Sequence, residues 1–187
     1  MKKLAVIGLS GLLSACVLEE DNSEPTFLEG TYASECEDFD GGTYGLRTLS
    51  FEGNKLTVIS NTYSDSDCQT LRSSNIAKAS FTVGEELILP ESGLVVTQVE
   101  FNYSQFVATA LNDEAAATYN TDRHCGFTDW TVNEGKEILA CFLEARGGNP
   151  VKDVAYLEDG ALDFGDVDYI GENGFPTRLS GDPITRR

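Results

Sequence analysis

The densest group of chemically capable side chains is His124-Cys125-Gly126-Phe127-Thr128-Asp129-Trp130. A cysteine beside the only histidine has the parts of a thiol nucleophile, with Asp129 available to orient the imidazole. Two arguments oppose that reading. Sequence neighbours do not generally turn their side chains toward one another, and Cys125 belongs to an even set of cysteines expected to be oxidised. The structural reading is stronger: Gly126 permits a tight bend, Asp129 caps or turns the backbone, Trp130 plugs one end of a core, and His124 is a solvent-facing turn residue. No G-x-S-x-G elbow, HExxH, Walker loop or post-strand GxGxxG occurs. The expectation is a non-enzyme without catalytic residues, cofactor or metal.

Carboxylate pairs can hydrolyse glycosides, yet with 31 acids in the chain some pair will always look suitable. Asp166 and Asp168 flank Val167 and would project together from a strand, which a solvated edge explains equally well. The Asp65-Ser66-Asp67 turn and the stretch from Asp159 to Asp168 suit weak calcium binding at most, because no Asp-x-Asp-x-Asp-Gly loop with a distal Glu is present. A carboxylate hydrolase is therefore the weakest of the functional classes.

Lys2 and Lys3, the uncharged and largely apolar run from Leu4 to Ala15, and the small residues Ser14 and Ala15 before Cys16 have the layout of an export signal. Twelve helical residues span about 18 Å, short of the roughly 30 Å hydrocarbon core, so a permanent transmembrane helix is not expected. Leu13-Ser14-Ala15-Cys16 resembles the lipobox of bacterial lipoproteins. The resemblance implies cleavage before Cys16, lipidation of its thiol and attachment to a membrane through several acyl chains, which anchor where one chain holds only marginally. Val17, where an aspartate favours inner-membrane retention in that family, implies the outer membrane of a two-membrane cell.

Loss of residues 1–15 would remove two lysines and no acids, so 13 basic residues become 11 against 31 acids and the formal charge moves from −18 to −20. Such a surface repels phosphates, which excludes nucleic acid and anionic lipid head groups as principal partners. It also makes an uncharged apolar ligand a better expectation than an anion. With Cys16 lipidated, Cys36, Cys68, Cys125 and Cys141 form an even set, read as two disulfides in an oxidising compartment. Of three pairings, sequence proximity favours Cys36–Cys68 with Cys125–Cys141. Metal ligation is a poor rival without a CxxC pair and with one histidine.

Residues 16–28 are polar and acidic and read as a tether that lifts a single domain, residues 29–187, off the membrane. Leu46 to Glu52 and Lys55 to Tyr63 form a hairpin about Gly53-Asn54, a pair tolerant of positive φ. Its second arm carries apolar groups on both faces, as a buried strand does. Further strands are expected at Gly30–Cys36, Ile76–Val83, Glu86–Leu89, Leu94–Tyr103, Gln105–Leu111, Glu137–Leu143, Val154–Leu157, Ala161–Phe164 and Thr177–Thr185. Asn112–Tyr119, with three alanines behind Asn112 and Asp113, is the one short helix expected. So many short strands imply an all-β antiparallel barrel of about eight to ten strands, or a β-sandwich, because a lone sheet would expose long edges.

Gly30-Thr31-Tyr32 resembles the Gly-x-Trp element that opens lipocalin-type barrels, with Tyr in place of Trp. The resemblance implies an arginine near the last strand covering the ring; Arg186 or Arg187 would serve, ahead of Arg178. Leu162-Asp163-Phe164-Gly165-Asp166, followed by Gly174-Phe175-Pro176-Thr177-Arg178-Leu179, also resembles the closing hairpin of small bacterial lipocalin-like lipoproteins. Phe51, Tyr63, Phe81, Phe101, Phe106, Phe142, Tyr156 and Phe164 fall on expected strands. They either fill the core or line a cup for a small apolar ligand. The leading expectation is a membrane-anchored envelope lipoprotein with such a cup. A module that docks another envelope protein, through a loop such as Asn112–Trp130, is the alternative.

Overall fold

The computed structural model describes residues 26–40 and 42–187. The signal-like segment, Cys16 and most of the tether lie outside these residues. In chain order the elements are β1 (Gly30–Ala33), β2 (Glu37–Asp40), β3 (Thr43–Glu52), β4 (Lys55–Tyr63), β5 (Leu71–Ile88), β6 (Val95–Ala110), α1 (Asp113–Asp122), β7 (Gly135–Glu137), α2 (Leu139–Ala145), β8 (Val151–Glu158), β9 (Ala161–Phe164) and β10 (Ile184–Arg186). The fold is all-β. Eight strands, β1, β3, β4, β5, β6, β8, β9 and β10, run antiparallel in succession and close into a barrel. Closure comes from β1, which pairs β3 on one side (Gly30↔Phe51) and β10 on the other (Tyr32↔Arg186). Closing the sheet removes its edges, and the sandwich alternative falls away.

The hairpin at Gly53-Asn54 forms as its residues require, with Glu52 opposite Lys55 and Gly53 at φ 58°. The Gly53 amide also donates to Glu29 Oε2 at 3.0 Å. Asn112 caps α1 by accepting from the Ala115 amide at 2.8 Å, and the helix runs three residues past Tyr119. β5 and β6 are each one long strand where the sequence suggests two. An irregular register opposite Lys78 and Ala79 passes Ser104 without a partner. Inward residues are therefore Val99, Phe101 and Tyr103 before it, and Phe106, Ala108 and Ala110 after it, which breaks the period-two pattern.

Three sequence expectations are corrected. Glu137–Leu143 is not a strand: β7 ends at Glu137, and Leu139-Ala-Cys-Phe-Leu-Glu-Ala145 winds into α2. Leu, Ala and Glu are strong helix formers, and a short apolar run does not by itself tell strand from helix. The barrel thus carries two short helices rather than one. Thr177–Thr185 is not a continuous strand either; only a Gly165↔Leu179 bridge and the short β10 remain, with Gly181 and Pro183 between them. Leu28, read as the tether's end, is fully buried in the barrel core.

The disulfides are Cys36–Cys68 and Cys125–Cys141. The first ties the approach to β2 to the β4–β5 loop; the second ties the turn after α1 to α2. At the closed end a file of rings fills the barrel: Tyr32 to Phe51 at 6.0 Å, Phe51 to Phe81 at 5.4 Å, and Phe81 to Phe101 at 6.1 Å. Ala108, Ala110, Ala115, Ala116, Trp130 and Ile138 form a second cluster, in which α1 and Trp130 pack against the C-terminal part of β6. Leu89, Val96, Val154 and Phe175 form a third, on the outer face of the β6–β8 wall.

Arg186 is the arginine that covers Tyr32. Its guanidinium lies 5.4 Å from the ring centroid and donates to the Tyr32 hydroxyl at 3.1 Å and to the Glu29 carbonyl. Tyr32 is fully buried, so this clasp joins the first strand to the last over a core ring. Arg186→Ala is expected to lower unfolding free energy by about 1–2 kcal/mol. Arg187→Ala should change it by less than about 0.5 kcal/mol. Urea denaturation of the two variants checks both values.

Candidate functional site

Beside the ring file the barrel is hollow. The cavity measures about 520 Å³ and is walled by inward residues of six strands, from Leu49 on β3 to Phe164 on β9. Phe101, Phe106, Phe142 and Phe164, all singled out from the sequence, line it. Phe142 enters from α2 rather than from a strand, its ring 4.8 Å from Tyr103 and 4.6 Å from Phe106. Phe51 and Phe81 lie beneath, packed in the core. Tyr63 and Tyr156 do not line the cavity. Tyr63 alternates with the inward residues Leu56, Val58 and Ser60 of β4, and Tyr156 packs in the outer cluster with Val154.

The cavity also has a polar wall that the aromatic pattern of the sequence does not announce. Asp153 follows the inward phase of β8, between Val151 and Ala155. Its Oδ1 accepts the Val154 amide at 2.8 Å and the Gly165 amide at 2.9 Å. Oδ2 has no protein partner among the described residues. Burial pushes this carboxyl up to about 7, against the pull of the two amides and of the Arg146 charge. Tyr103 also lines the cavity; burial raises its hydroxyl to about 12, and that hydroxyl has no hydrogen-bond partner among the described residues. An acid in the apolar phase of a strand was the available signal for Asp153. Nothing marked Tyr103 beyond its place on a strand.

Cations at the wall are differently engaged. Arg47 pairs with Glu37 at 3.3 Å, leaving its buried Nε without a partner. Arg146, at the end of α2, lies 5.7 Å from the Phe142 ring centroid and forms no ion pair among the described residues. Asp166 is held by Arg178, at 3.0 Å from Nε and 2.7 Å from Nη2, and its Oδ1 accepts the Asp168 amide. These bonds keep its carboxyl below the usual range, the Asp168 amide contributing most. Asp166 and Asp168 therefore shape a turn and do not project as a pair from a strand. The same holds for Asp65, whose oxygens accept the Gln69 and Thr70 amides at 2.9 and 2.6 Å.

The His124–Trp130 segment has no thiol to activate, because Cys125 is oxidised. His124 is half-buried rather than solvent-facing: it stacks on Tyr119 at 4.5 Å, and burial holds it below its ordinary value. Asp129 pairs with Lys136 at 3.1 Å instead of with the imidazole. The Asn120 side chain fixes Trp130, accepting its amide at 2.6 Å and donating to its carbonyl at 3.0 Å. Gly126 supplies the bend at φ 83°. The segment packs with α1 in the second cluster.

No protein-family model matches the chain, and no curated protein matches it. The functional argument rests on the cavity.

Proposed function

We propose that this protein is a non-enzymatic, lipid-anchored envelope lipoprotein whose barrel holds one small, mainly apolar molecule. The observation that carries the binding half is the cavity of about 520 Å³ lined by the rings of Phe101, Tyr103, Phe106, Phe142 and Phe164. That volume falls within the range of small-molecule sites, and a wall of clustered rings and aliphatic side chains with polar groups at its margin suits a mainly apolar ligand. The anchoring half is supported by Lys2, Lys3, the apolar run to Ala15 and Leu13-Ser14-Ala15-Cys16, which lie outside the described residues. Val17 supports delivery to the outer membrane.

Each half has its own measurement. Cys16→Ser is expected to move the protein from the membrane to the soluble envelope fraction; retention in the membrane would remove the lipoprotein reading. The neutral fluorophore N-phenyl-naphthylamine is expected to bind the protein saturably, one per chain. Ser60 lines the cavity on β4, and Ser60→Trp should fill that space and weaken the probe roughly tenfold or more while unfolding stays cooperative. Unchanged binding in that variant would place the probe elsewhere.

A further inference from the structure

We infer that the molecule held in the barrel carries a protonated amine on its apolar body, with Asp153 as the counter-ion. The inference rests on the cavity being a binding site and names what it selects. A carboxylate in an apolar wall is unfavourable unless a cation or a full set of donors meets it. Oδ1 has two amide donors, Oδ2 has none, and no lysine or arginine among the described residues forms an ion pair with the group. The free oxygen belongs to a side chain whose open surface lines the cavity.

The charged and titratable groups around Asp153 come from every neighbouring element. Asp163 on β9 acts on it as a like charge, and Arg146 at the end of α2 as an opposite one. Tyr103 on β6, Asp166 after β9 and Asp182 before β10 share the cavity wall. Asp163 is occupied by the Ser180 hydroxyl at 2.7 Å and the Gly181 amide at 3.2 Å; Asp166 is occupied by Arg178. Arg47 is committed to Glu37. Arg146 also lines the wall, over the Phe142 ring. What remains for a ligand is therefore the Asp153 oxygen, the Tyr103 hydroxyl, the guanidinium groups of Arg146 and, through its unpartnered Nε, Arg47, and a wall of rings. A carboxylate with aromatic surfaces is the chemistry that holds an ammonium group, by ion pairing and by cation–π attraction. The formal charge of −18 adds a field that draws cations into a low-dielectric cleft and repels anions.

The test is calorimetric titration of the protein, expressed from its full-length sequence, with three ligands of one shape: phenylbutylamine, phenylbutanol and phenylbutanoate. At pH 8 the amine is expected to bind one per chain and roughly tenfold or more tighter than the alcohol, with the carboxylate weakest. Below about pH 7, where Asp153 takes up a proton, amine affinity should fall roughly tenfold per pH unit while alcohol affinity stays level. Asp153→Asn keeps an oxygen for the Gly165 amide and should erase the preference for amine over alcohol. An NMR titration of the Asp153 carboxyl in the unmutated protein gives a second reading, since bound amine must lower its midpoint. Alcohol or carboxylate binding as tightly as amine would overturn the inference and leave the cavity reading standing. Amine binding indifferent to Asp153→Asn, or an unmoved midpoint, would also overturn it. If none of the three binds, both readings fall.

Discussion

Replacing Cys36, Cys68, Cys125 and Cys141 together by serine is expected to remove about 7 kcal/mol of unfolding free energy. The bridges span 32 and 16 residues, and loop-closure entropy assigns about 3–4 kcal/mol to each. They sit on separate parts of the barrel, so their contributions should add. Domains of this size are stable by about 5–15 kcal/mol, so the quadruple variant would be marginal or unfolded at room temperature. The two paired variants should differ in function. Removing Cys36–Cys68 loosens the link between β2 and the β4–β5 loop, away from the ring wall, so it should lower the urea midpoint and spare the fluorophore. Removing Cys125–Cys141 frees α2, whose Phe142 is part of the cavity wall, so it should lower the midpoint and weaken fluorophore binding together. Fluorophore binding unchanged by loss of Cys125–Cys141 would mean that α2 holds its place without its tie.

The barrel was legible because its strands are punctuated by residues with local reasons to turn. Gly53-Asn54 made a hairpin, Asn112 capped a helix, and Gly30-Thr31-Tyr32 met the terminal arginine that its resemblance implied. What escaped notice depends on contacts made at long range. Local propensity favours helix at Leu139–Ala145 but its apolar run suits either element, and the tie at Cys141 and the packing of Phe142 accompany the helix. The unpartnered Ser104 in β6 shifts the inward phase by one residue, so period-two counting from Val95 cannot reach Phe106 in step. The cavity itself was half legible. Aromatic residues on strands mark both a core and a cup, and only the closed barrel sorts Phe51 and Phe81 into the first, Phe101 and Phe164 into the second, and Tyr63 and Tyr156 onto the outside. Asp153 carried the clearest missed signal, since a lone acid between Val151 and Ala155 contradicts a strand's apolar face, and such contradictions tend to fall at functional sites.

That contradiction has a thermodynamic consequence that is independent of any ligand. The Asp153 carboxyl titrates near 7 in the folded protein and near 3.8 when exposed, with desolvation the main cause. The folded state therefore holds the proton more tightly than the unfolded one. Its contribution to stability is complete below about 3.8, is lost as pH rises through the window from 3.8 to 7, and stays lost above it. A shift of that size corresponds to at most about 4 kcal/mol, at about 1.4 kcal/mol per unit. Asp65 and Asp166 act in the opposite sense: their lowered values make stability fall when they are protonated in acid. Asp153→Asn retains the acceptor for the Gly165 amide but never charges. It should therefore stabilise the ligand-free protein by about 2–4 kcal/mol at pH 8 and change it little at pH 4, where the native acid is already neutral. Urea midpoints measured at both pH values decide the matter. No gain at pH 8 would mean that the cavity solvates the ionised acid well, removing the need for a counter-ion. A gain at pH 8 accompanied by loss of amine binding would mark Asp153 as a group held against the stability of the barrel because of what it binds.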